Sequence, residues 1–272
     1  MNKNYLNAHY QQNLHRQPFK LMLMSYLHKL LLVCALTLIA FYSFPISDNP
    51  DYINRNNTDS IFFLIYNQEF STAETALSHS RNNLNPLIYN LLNTDIIWWK
   101  AISTNNEIDF KILENNLSKK LGNNEKLSSA NKLERLVYLN YLIRLMSIRN
   151  QYLKMFGYFL QINSLIETID NSGFTDEERN IFEIYKAIFY ISKSKLLFTK
   201  PQDKYDNIEI LKRYLESSNL INKTIACYFL GKIYFEIEKS PEQAIKYYSK
   251  LCQLYPNNMI FKNELLSCSK NK

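Results

Sequence analysis

The sequence contains few glycine and proline residues, with 4 glycines and 7 prolines among 272 positions. Tight β-turns and loops that cradle phosphate groups both depend on glycine, because its backbone adopts positive φ angles without a steric cost. This scarcity argues against a β-rich fold and against a glycine-rich nucleotide loop. An α-helical chain is the expectation, and 46% hydrophobic residues are enough for a substantial core.

Histidine is also scarce, and of the 4 histidines only His79 lies beyond the first 47 residues. General acid-base catalysis, zinc sites and catalytic triads mostly use histidine together with polar partners. A single histidine on a predicted helix is typical of a surface position. The sequence therefore predicts a protein without catalytic residues, metal ligands or cofactor.

The cysteines lack the spacing of a metal or redox motif. Cys227, Cys252 and Cys268 form no Cys-x-x-Cys pair and fall on predicted helices, where a free cysteine usually acts as a small buried hydrophobe. In an oxidising compartment, Cys227 and Cys252 on paired helices are candidates for one disulfide, which leaves Cys268 unpaired. Cys34 lies in the middle of an apolar run, which argues against a lipoprotein.

The formal net charge of +7 is concentrated near the N-terminus. Residues 1–47 carry 4 of the 32 basic side chains and none of the 25 acidic ones. In the rest of the chain, basic and acidic residues are interleaved, as in the segment KLER at 132–135. This pattern predicts a solvated helical surface rather than the one-sided basic stripe that binds phosphate, so no nucleic-acid partner is expected.

The N-terminus has the layout of a signal peptide or a membrane anchor. A basic leader, residues 1–29, precedes an apolar segment at 30–47, in which residues 30–44 carry no charge. As a helix the charge-free run spans about 22 Å, short of a full bilayer, although including residues 21–27 lengthens it. We expect membrane contact through residues 21–46, with the basic leader in the cytoplasm and the chain beyond the apolar segment in the periplasm. If the leader is cleaved, the protein is exported; the alternative to both is a buried core helix.

Beyond a polar spacer, apolar residues recur every three or four positions to the end of the chain, which is the helical period. Capping-box sequences begin at Ser71, Thr175 and Ser240, Pro86 suits a first helical position, and Gly122 suits a helix end. Pro201 is expected to break the chain before a short helix at 208–215. The pattern predicts about eleven helices in residues 58–270, an all-α fold built as an antiparallel α-hairpin array.

The clearest hairpin, residues 224–257, resembles the tetratricopeptide repeat. Six of its residues occupy positions of that repeat's pattern, with one residue inserted in the turn: Leu230, Gly231, Tyr234, Ala244, Tyr248 and Pro256. In this interpretation the two small residues let the helix backbones approach, the tyrosines fill the space between hairpins, and the proline ends the second helix. Other predicted hairpins have the same spacing of helices and turns but lack the characteristic residues, as degenerate repeats of an α-solenoid do.

The resemblance implies a concave groove, lined by first helices, that binds a partner protein. The corresponding positions of the last repeat are Tyr228, Lys232 and Phe235, a set that departs from the Lys and Asn clamp used for C-terminal carboxylates. Trp98 and Trp99 either pack between hairpins or line the groove, since neighbouring helical residues point about 100° apart. Tryptophan is a common anchor at interfaces.

The expected function is a non-enzymatic interaction scaffold of the bacterial cell envelope, which holds a peptide or helix of another envelope or secreted protein in the groove. Two alternatives belong to other classes. A cell-wall hydrolase would use Asp95 near the two tryptophans, although glycan hydrolysis requires a second carboxylate. An anchored receptor would hold a small hydrophobic ligand in the aromatic region 133–198.

Overall fold

The computed structural model describes residues 57–122, 128–197 and 201–270. Within these ranges the chain forms eleven α-helices and no strand, as the sequence predicts. They are α1 (Asn57–Tyr66), α2 (Phe70–His79), α3 (Pro86–Thr104), α4 (Glu107–Leu121), α5 (Ser129–Ile148), α6 (Tyr152–Thr168), α7 (Asp176–Leu197), α8 (Pro201–Arg213), α9 (Leu220–Lys232), α10 (Pro241–Leu254) and α11 (Met259–Lys270). A 3₁₀ turn (Tyr214–Glu216) precedes α9, and a π-helical turn (Ile233–Ile237) continues it.

The predicted basic leader and apolar segment lie outside the described residues. Within the ranges that the structure describes, no helix combines the length and the apolar character needed to cross a bilayer. The anchor therefore stays a prediction from the sequence.

Two helix starts agree with the local sequence signals. At α3, Pro86 takes the first position, and the Asn85 side chain accepts a hydrogen bond from the Leu87 amide at 2.8 Å. At α7, the Thr175 hydroxyl accepts from the Glu178 amide at 3.3 Å, while the Glu178 carboxylate accepts from the Thr175 amide at 2.9 Å. This reciprocal pair is a capping box, which satisfies amides that a helix start leaves without intrahelical partners.

Three local predictions are wrong. Helix α2 begins at Phe70, so Ser71 already lies inside the helix. At α10 the described structure shows Pro241 in the first turn after Ser240, but no capping bond from the Ser240 side chain. Pro201 begins α8 rather than delaying it to residue 208, because a first helical position needs no amide hydrogen and suits the φ angle of proline.

Consecutive helices joined by short turns pack against each other, so neighbours run antiparallel. The odd-numbered helices also contact one another in succession, α1 with α3, α3 with α5, α5 with α7 and α7 with α9. Helix α9 then returns to contact α1. We refer to α1, α3, α5, α7 and α9 as the helix ring.

The chain closes on itself through hydrogen bonds between residues 66–68 and residues 257–259, called the closing contact below. The Asn258 side chain donates to the carbonyl oxygen of Tyr66 at 2.7 Å. The Asn67 side chain accepts from the amide of Asn257 at 3.0 Å, and that of Gln68 from the amide of Met259 at 3.3 Å. First and last hairpins therefore touch, which differs from the open array implied by the resemblance.

In the last hairpin, Gly231 allows a close approach between α9 and α10. A Cβ atom added there would lie 2.9 Å from the Tyr248 ring, which is fully buried, as is Ala244. Tyr234 instead stacks on Tyr247, with ring centroids 5.5 Å apart. Leu230 is fully buried, whereas Pro256 is partly exposed in the turn between α10 and α11.

Replacing Gly231 by alanine is expected to reduce the free energy of unfolding by about 1 kcal/mol. Alanine gains roughly 1 kcal/mol in helix propensity, but overpacking a core costs roughly 1 to 3 kcal/mol. The loss is measured by chemical denaturation. The Tyr248 hydroxyl is buried without a hydrogen-bond partner in the described structure. Tyr248→Phe removes this hydroxyl and gives the ring room to shift, so Gly231→Ala should cost less stability in that background. Equal costs in both backgrounds would contradict the proposed clash.

Candidate functional site

Three of the predicted groove residues are buried inside the helix ring. Trp98, Trp99 and Tyr228 are 3%, 2% and 9% exposed. The Trp99 ring packs edge-on against Tyr66 at 5.0 Å and against Phe261 at 5.5 Å between centroids. Because α9 returns to α1, aromatic rings from several helices fill the space in which an open groove was expected. Their burial favours the alternative in which these residues pack between helices, and the groove itself stays a prediction.

The other two predicted groove residues are engaged within the chain. The Lys232 ammonium lies 2.6 Å from a Glu264 oxygen and 3.1 Å from a Glu236 oxygen. Burial alone lowers the pKa of Lys232, but the two carboxylates outweigh it and raise that pKa well above its ordinary value. Phe235 is partly buried and packs against the core. Lys232 thus neutralises its own neighbours, which removes it as a docking point for a partner carboxylate.

A cluster of ionisable side chains lies at the centre of the helix ring. Asp95 comes from α3, and Tyr141 and Arg144 come from successive turns of α5. The Tyr141 hydroxyl donates a hydrogen bond to Asp95 Oδ1, while Asp95 Oδ2 is buried with no hydrogen-bond partner in the described part of the chain. Tyr66 and Tyr185 interact electrostatically with these groups from α1 and α7. Four helices of the ring therefore meet at this central cluster.

The pKa of the Asp95 carboxyl group is strongly shifted. Burial raises its pKa from 3.8 to about 7, although the hydrogen bond from Tyr141 and the positive charge of Arg144 both act to lower it. Desolvation disfavours the charged carboxylate, and the positive charge of Arg144 does not compensate for it. The Asp95 carboxyl therefore gains or loses its proton near neutral pH.

Arg144 lies among aromatic rings rather than beside a carboxylate. Its guanidinium is 4.1 Å from the centroid of Trp98 and 5.5 Å from those of Tyr141, Tyr228 and Phe229. A cation over an aromatic face is attracted by the ring quadrupole, more strongly where water is excluded. These contacts join α3, α5 and α9 around one partly exposed side chain.

The central cluster has one feature of a catalytic site and lacks two others. A carboxyl with a pKa near 7 is suited to general acid-base work. Glycan hydrolysis, however, needs two carboxyl groups about 5 to 9 Å apart with the substrate between them. Asp95 is 1% exposed, and no other carboxylate in the described residues hydrogen-bonds to Tyr141 or Arg144. This geometry supports a structural role, and the hydrolase stays a hypothesis.

Cys227, Cys252 and Cys268 are free in the structure, so the disulfide considered for Cys227 and Cys252 is not present. The Cys227 thiol lies 3.4 Å from the carbonyl oxygen of Tyr247, and burial raises its pKa to about 12, which makes it unreactive. Cys268 is also buried. The residues that the structure describes contain no group of three or more His, Cys, Asp or Glu side chains arranged to hold a metal ion.

Five of the large exposed apolar side chains in the described residues lie on the surface of α4 and α6. We call this surface the α4–α6 face, and it consists of Ile108, Ile112, Leu153, Phe156 and Leu160. Leu153 is 83% exposed and Ile108 65%. Another set of apolar residues on α6 is buried against the core: Met155, Phe159, Ile162 and Ile166.

Helix α6 is thus apolar on two sides, one buried and one exposed. Exposed residues 153, 156 and 160 follow the helical spacing of three and four, so the sequence signal for a second apolar face was present. A surface helix of a monomeric protein normally has one apolar side. The second apolar side was not evident from the sequence, because apolar residues all around a helix also indicate complete burial.

A pocket of about 340 Å³ opens beside the α4–α6 face, at the starts of α4 and α6. It is lined by Asn105, Glu107, Phe110, Ile148, Arg149 and Gln151. The Arg149 guanidinium pairs with Glu114 and, at 2.5 Å, with Glu107. The Gln151 side-chain oxygen is buried without a hydrogen-bond partner in the described residues. Four of the six lining residues are polar or charged, and Phe110 and Ile148 add an apolar part to the pocket wall.

Ion pairs link the two helices that form the face. Glu114 of α4 lies 3.4 Å from the ammonium of Lys154 on α6 and also pairs with Arg149 between α5 and α6. Pairs that share one carboxylate hold several side chains in place together, although each exposed pair contributes little stability. The network ties the start of α6 to α4.

The protein belongs to the all-α class, with consecutive antiparallel helices and a closed helix ring. Comparisons of the chain with protein-family models, curated proteins and solved structures gave no match.

Proposed function

We propose that the protein is a non-enzymatic protein-protein interaction scaffold, and that it binds through the α4–α6 face. The exposed apolar cluster on this face carries the proposal. The resemblance of residues 224–257 to the tetratricopeptide repeat favours the same class of function, with an α-solenoid origin. The basic leader and apolar segment favour a protein of the cell envelope, either anchored in the inner membrane or exported to the periplasm.

The size of the α4–α6 face supports a protein partner. A fully exposed Leu, Ile or Phe side chain presents on the order of 150 to 200 Å² of surface, so the five residues together expose on the order of 500 Å². Contiguous apolar patches of this size are frequently functional in monomeric proteins. The neighbouring pocket adds a concave site, and interface energy concentrates where a side chain fills such a pocket.

The interior of the helix ring is a weaker candidate for partner binding. Trp98, Trp99 and Tyr228 contact aromatic neighbours on several helices, so a peptide could reach them only after these contacts were broken. The outer face requires no such rearrangement, because Leu153 and Ile108 are already largely in water. This difference moves the proposed binding surface from the groove to the outside of the array.

Replacing Leu153 and Leu160 by glutamate is expected to reduce partner capture by at least tenfold, because each charge would be desolvated against an apolar partner surface. Capture is measured by chemical crosslinking of the full chain in its native membrane fraction, followed by identification of crosslinked proteins. Leu266→Glu is the matched control, since Leu266 of α11 is 58% exposed and lies outside the face. Equal capture by both variants would refute the proposed surface.

A further inference from the structure

We infer that the guanidinium of Arg144 is a binding site for the carboxylate group of a small organic acid. Arg144 lies on α5, and its neighbours come from α3 and α9, so the site is formed by other helices than the α4–α6 face. It therefore goes beyond the proposed function. Its positive charge lacks a counter-ion, most of its hydrogen-bond donors are unused, and aromatic rings hold it in place.

Arg144 makes no ion pair within the described part of the chain. Arg149, at the end of the same helix, is also partly exposed, yet it pairs with both Glu107 and Glu114. An arginine that is largely enclosed by protein normally has an anionic partner, because removing its charge from water is costly. A small anion from solution would supply the partner that Arg144 lacks.

Most of the hydrogen-bond donors of Arg144 are unused. A guanidinium carries several N–H groups in one plane. Among the described residues Arg144 donates one hydrogen bond, from Nη2 to the Tyr228 hydroxyl, and at 3.4 Å this bond is long. Nε and Nη1 are not among the fully buried atoms without a partner, so both are accessible to solvent. The remaining N–H groups can pair with both oxygens of a planar carboxylate.

Aromatic rings hold the guanidinium in place. Its central carbon is 4.1 Å from the ring centroid of Trp98 and 5.5 Å from those of Tyr141, Tyr228 and Phe229. A side chain that is already ordered loses little entropy when it binds a ligand, and apolar surroundings strengthen its attraction to an anion. The Nε1 atom of Trp98, in the closest of these rings, is buried without a hydrogen-bond partner in the described residues. It is a further unused donor next to the guanidinium.

The neighbouring charges favour a carboxylate over phosphate. Lys232, which interacts with Tyr228, is already neutralised by the carboxylates of Glu236 and Glu264. Phosphate carries more negative charge, and it usually binds where several cations or backbone amides converge. A single guanidinium matches the single charge of a carboxylate. A small acid also fits better than a peptide, because Trp98 and Tyr228 are only 3% and 9% exposed.

Asp95 makes the site sensitive to pH. Because its pKa is about 7, the carboxyl is neutral in mildly acidic solution and charged in alkaline solution. A charged Asp95 competes with a bound anion for the positive charge of Arg144, whereas a neutral Asp95 does not. The other titratable groups that face this pair are tyrosines: Tyr66 of α1, Tyr141 of α5 and Tyr185 of α7, whose pKa values are raised by burial, and Tyr228 of α9. Carboxylate binding should therefore tighten as the pH falls through 7.

The test is a titration of the purified full chain with acetate, propionate and butyrate at constant ionic strength, followed by tryptophan fluorescence. The sequence contains 2 tryptophans, Trp98 and Trp99, so the signal comes from the site itself. We expect a saturable change with at least one of these acids. Inorganic phosphate and chloride should bind about tenfold more weakly or not at all. The inference is overturned if none of the acids gives a saturable change, or if chloride gives the same one.

Substitutions at Arg144 locate the binding site. Arg144→Gln removes the charge and should weaken carboxylate binding by about tenfold or more, whereas Arg144→Lys keeps the charge without the planar pair of donors and should have an intermediate effect. Arg81→Gln is the matched control, since Arg81 is exposed and lies 5.7 Å from the centroid of the Tyr89 ring. Equal affinity in the Arg144→Gln and Arg81→Gln variants overturns the inference.

A measurement on the wild type keeps the test decisive if a variant at Arg144 fails to fold. Its affinity for the tightest of the three acids should be roughly threefold or more higher at pH 6 than at pH 8, since protonation of Asp95 and binding of the anion favour each other. Asp95→Asn should bind the acid equally well at both pH values. A wild-type affinity that does not change with pH places the anion away from Arg144 and Asp95, and it overturns the inference.

Discussion

Replacing Asn258 by alanine is expected to lower the free energy of unfolding by about 3 kcal/mol. The Asn258 side chain is fully buried and serves two helices. Its oxygen accepts a hydrogen bond from the Phe261 amide at 3.0 Å, which caps the start of α11. Its nitrogen donates to the Tyr66 carbonyl at 2.7 Å, at the end of α1.

The expected loss has two sources. Removing a helix N-cap costs roughly 0.5 to 2 kcal/mol. A buried carbonyl left without a donor costs roughly 1 to 3 kcal/mol more. For a chain of this size, the sum corresponds to a melting temperature lower by roughly 6 to 12 °C. Hydrogen exchange should show the greatest loss of protection in α1 and α11, because the substitution removes one of the three hydrogen bonds of the closing contact between them.

Asn106 provides the matched control, since it caps α4 by accepting from the Ile108 amide at 2.9 Å while remaining exposed. Asn106→Ala removes a cap but leaves no distant carbonyl unsatisfied. We expect a loss of about 1 kcal/mol, with exchange faster only at the start of α4. If both alanine variants lose the same stability, the contact between Asn258 and Tyr66 contributes nothing to the closure.

The second large effect concerns Asp95, whose replacement by asparagine should change how stability depends on pH. The folded-state pKa is about 7, whereas the ordinary value is 3.8. Between pH 4 and pH 7 the folded protein therefore holds a proton that the unfolded chain has released. Stability contributed by the protonated carboxyl is complete below pH 4 and is lost as the pH rises to 7.

Three pKa units correspond to about 4 kcal/mol. The amide of asparagine does not ionise in this range, so Asp95→Asn removes this pH dependence. We expect the stability of the variant relative to wild type to increase by about 3 to 4 kcal/mol between pH 4 and pH 8. The measurement is a series of urea titrations, and comparing the two pH values cancels any constant cost of burying the amide.

Asp203→Asn is the control for this series, because Asp203 lies in the first turn of α8 and is exposed. Surface substitutions usually change stability by no more than about 0.5 kcal/mol. Its difference from wild type should stay within about 0.5 kcal/mol at both pH values. A pH-independent difference for Asp95→Asn would mean that water reaches the carboxylate, and that the central cluster is more open than the structure indicates.

The number of helices and several of their starts could be predicted from the sequence. The apolar period predicted an all-α chain with about eleven helices, and the signals at Pro86 and Thr175 marked two helix starts correctly. These features depend on residues within a few positions of one another, so they are visible without the rest of the chain. The predictions at Ser71 and Pro201 were wrong. Helix α2 begins directly after Glu69, one residue before Ser71. Helix α8 begins at Pro201 itself, because proline is compatible with a first helical position.

The candidate site was less accessible from the sequence. Trp98 and Trp99 had two interpretations, and the choice depended on whether the array stays open. The α4–α6 face was also missed, because a helix with two apolar sides does not reveal which side its neighbours cover. Burial is a property of the complete packing, so no local pattern at residues 153–160 could distinguish an exposed stripe from a buried one.

By itself, the sequence determined the all-α class, the alternation of helices and short turns, and the close packing of α9 and α10 at Gly231. Only the tertiary structure decided that α9 returns to α1, that Asn258 reaches the end of α1, and that Asp95 lies in the centre away from water. The physical reason is the range of the interactions. Helix formation depends on bonds between residues four apart, whereas closure depends on contacts across more than 190 positions, which only the accumulated packing of every hairpin can place.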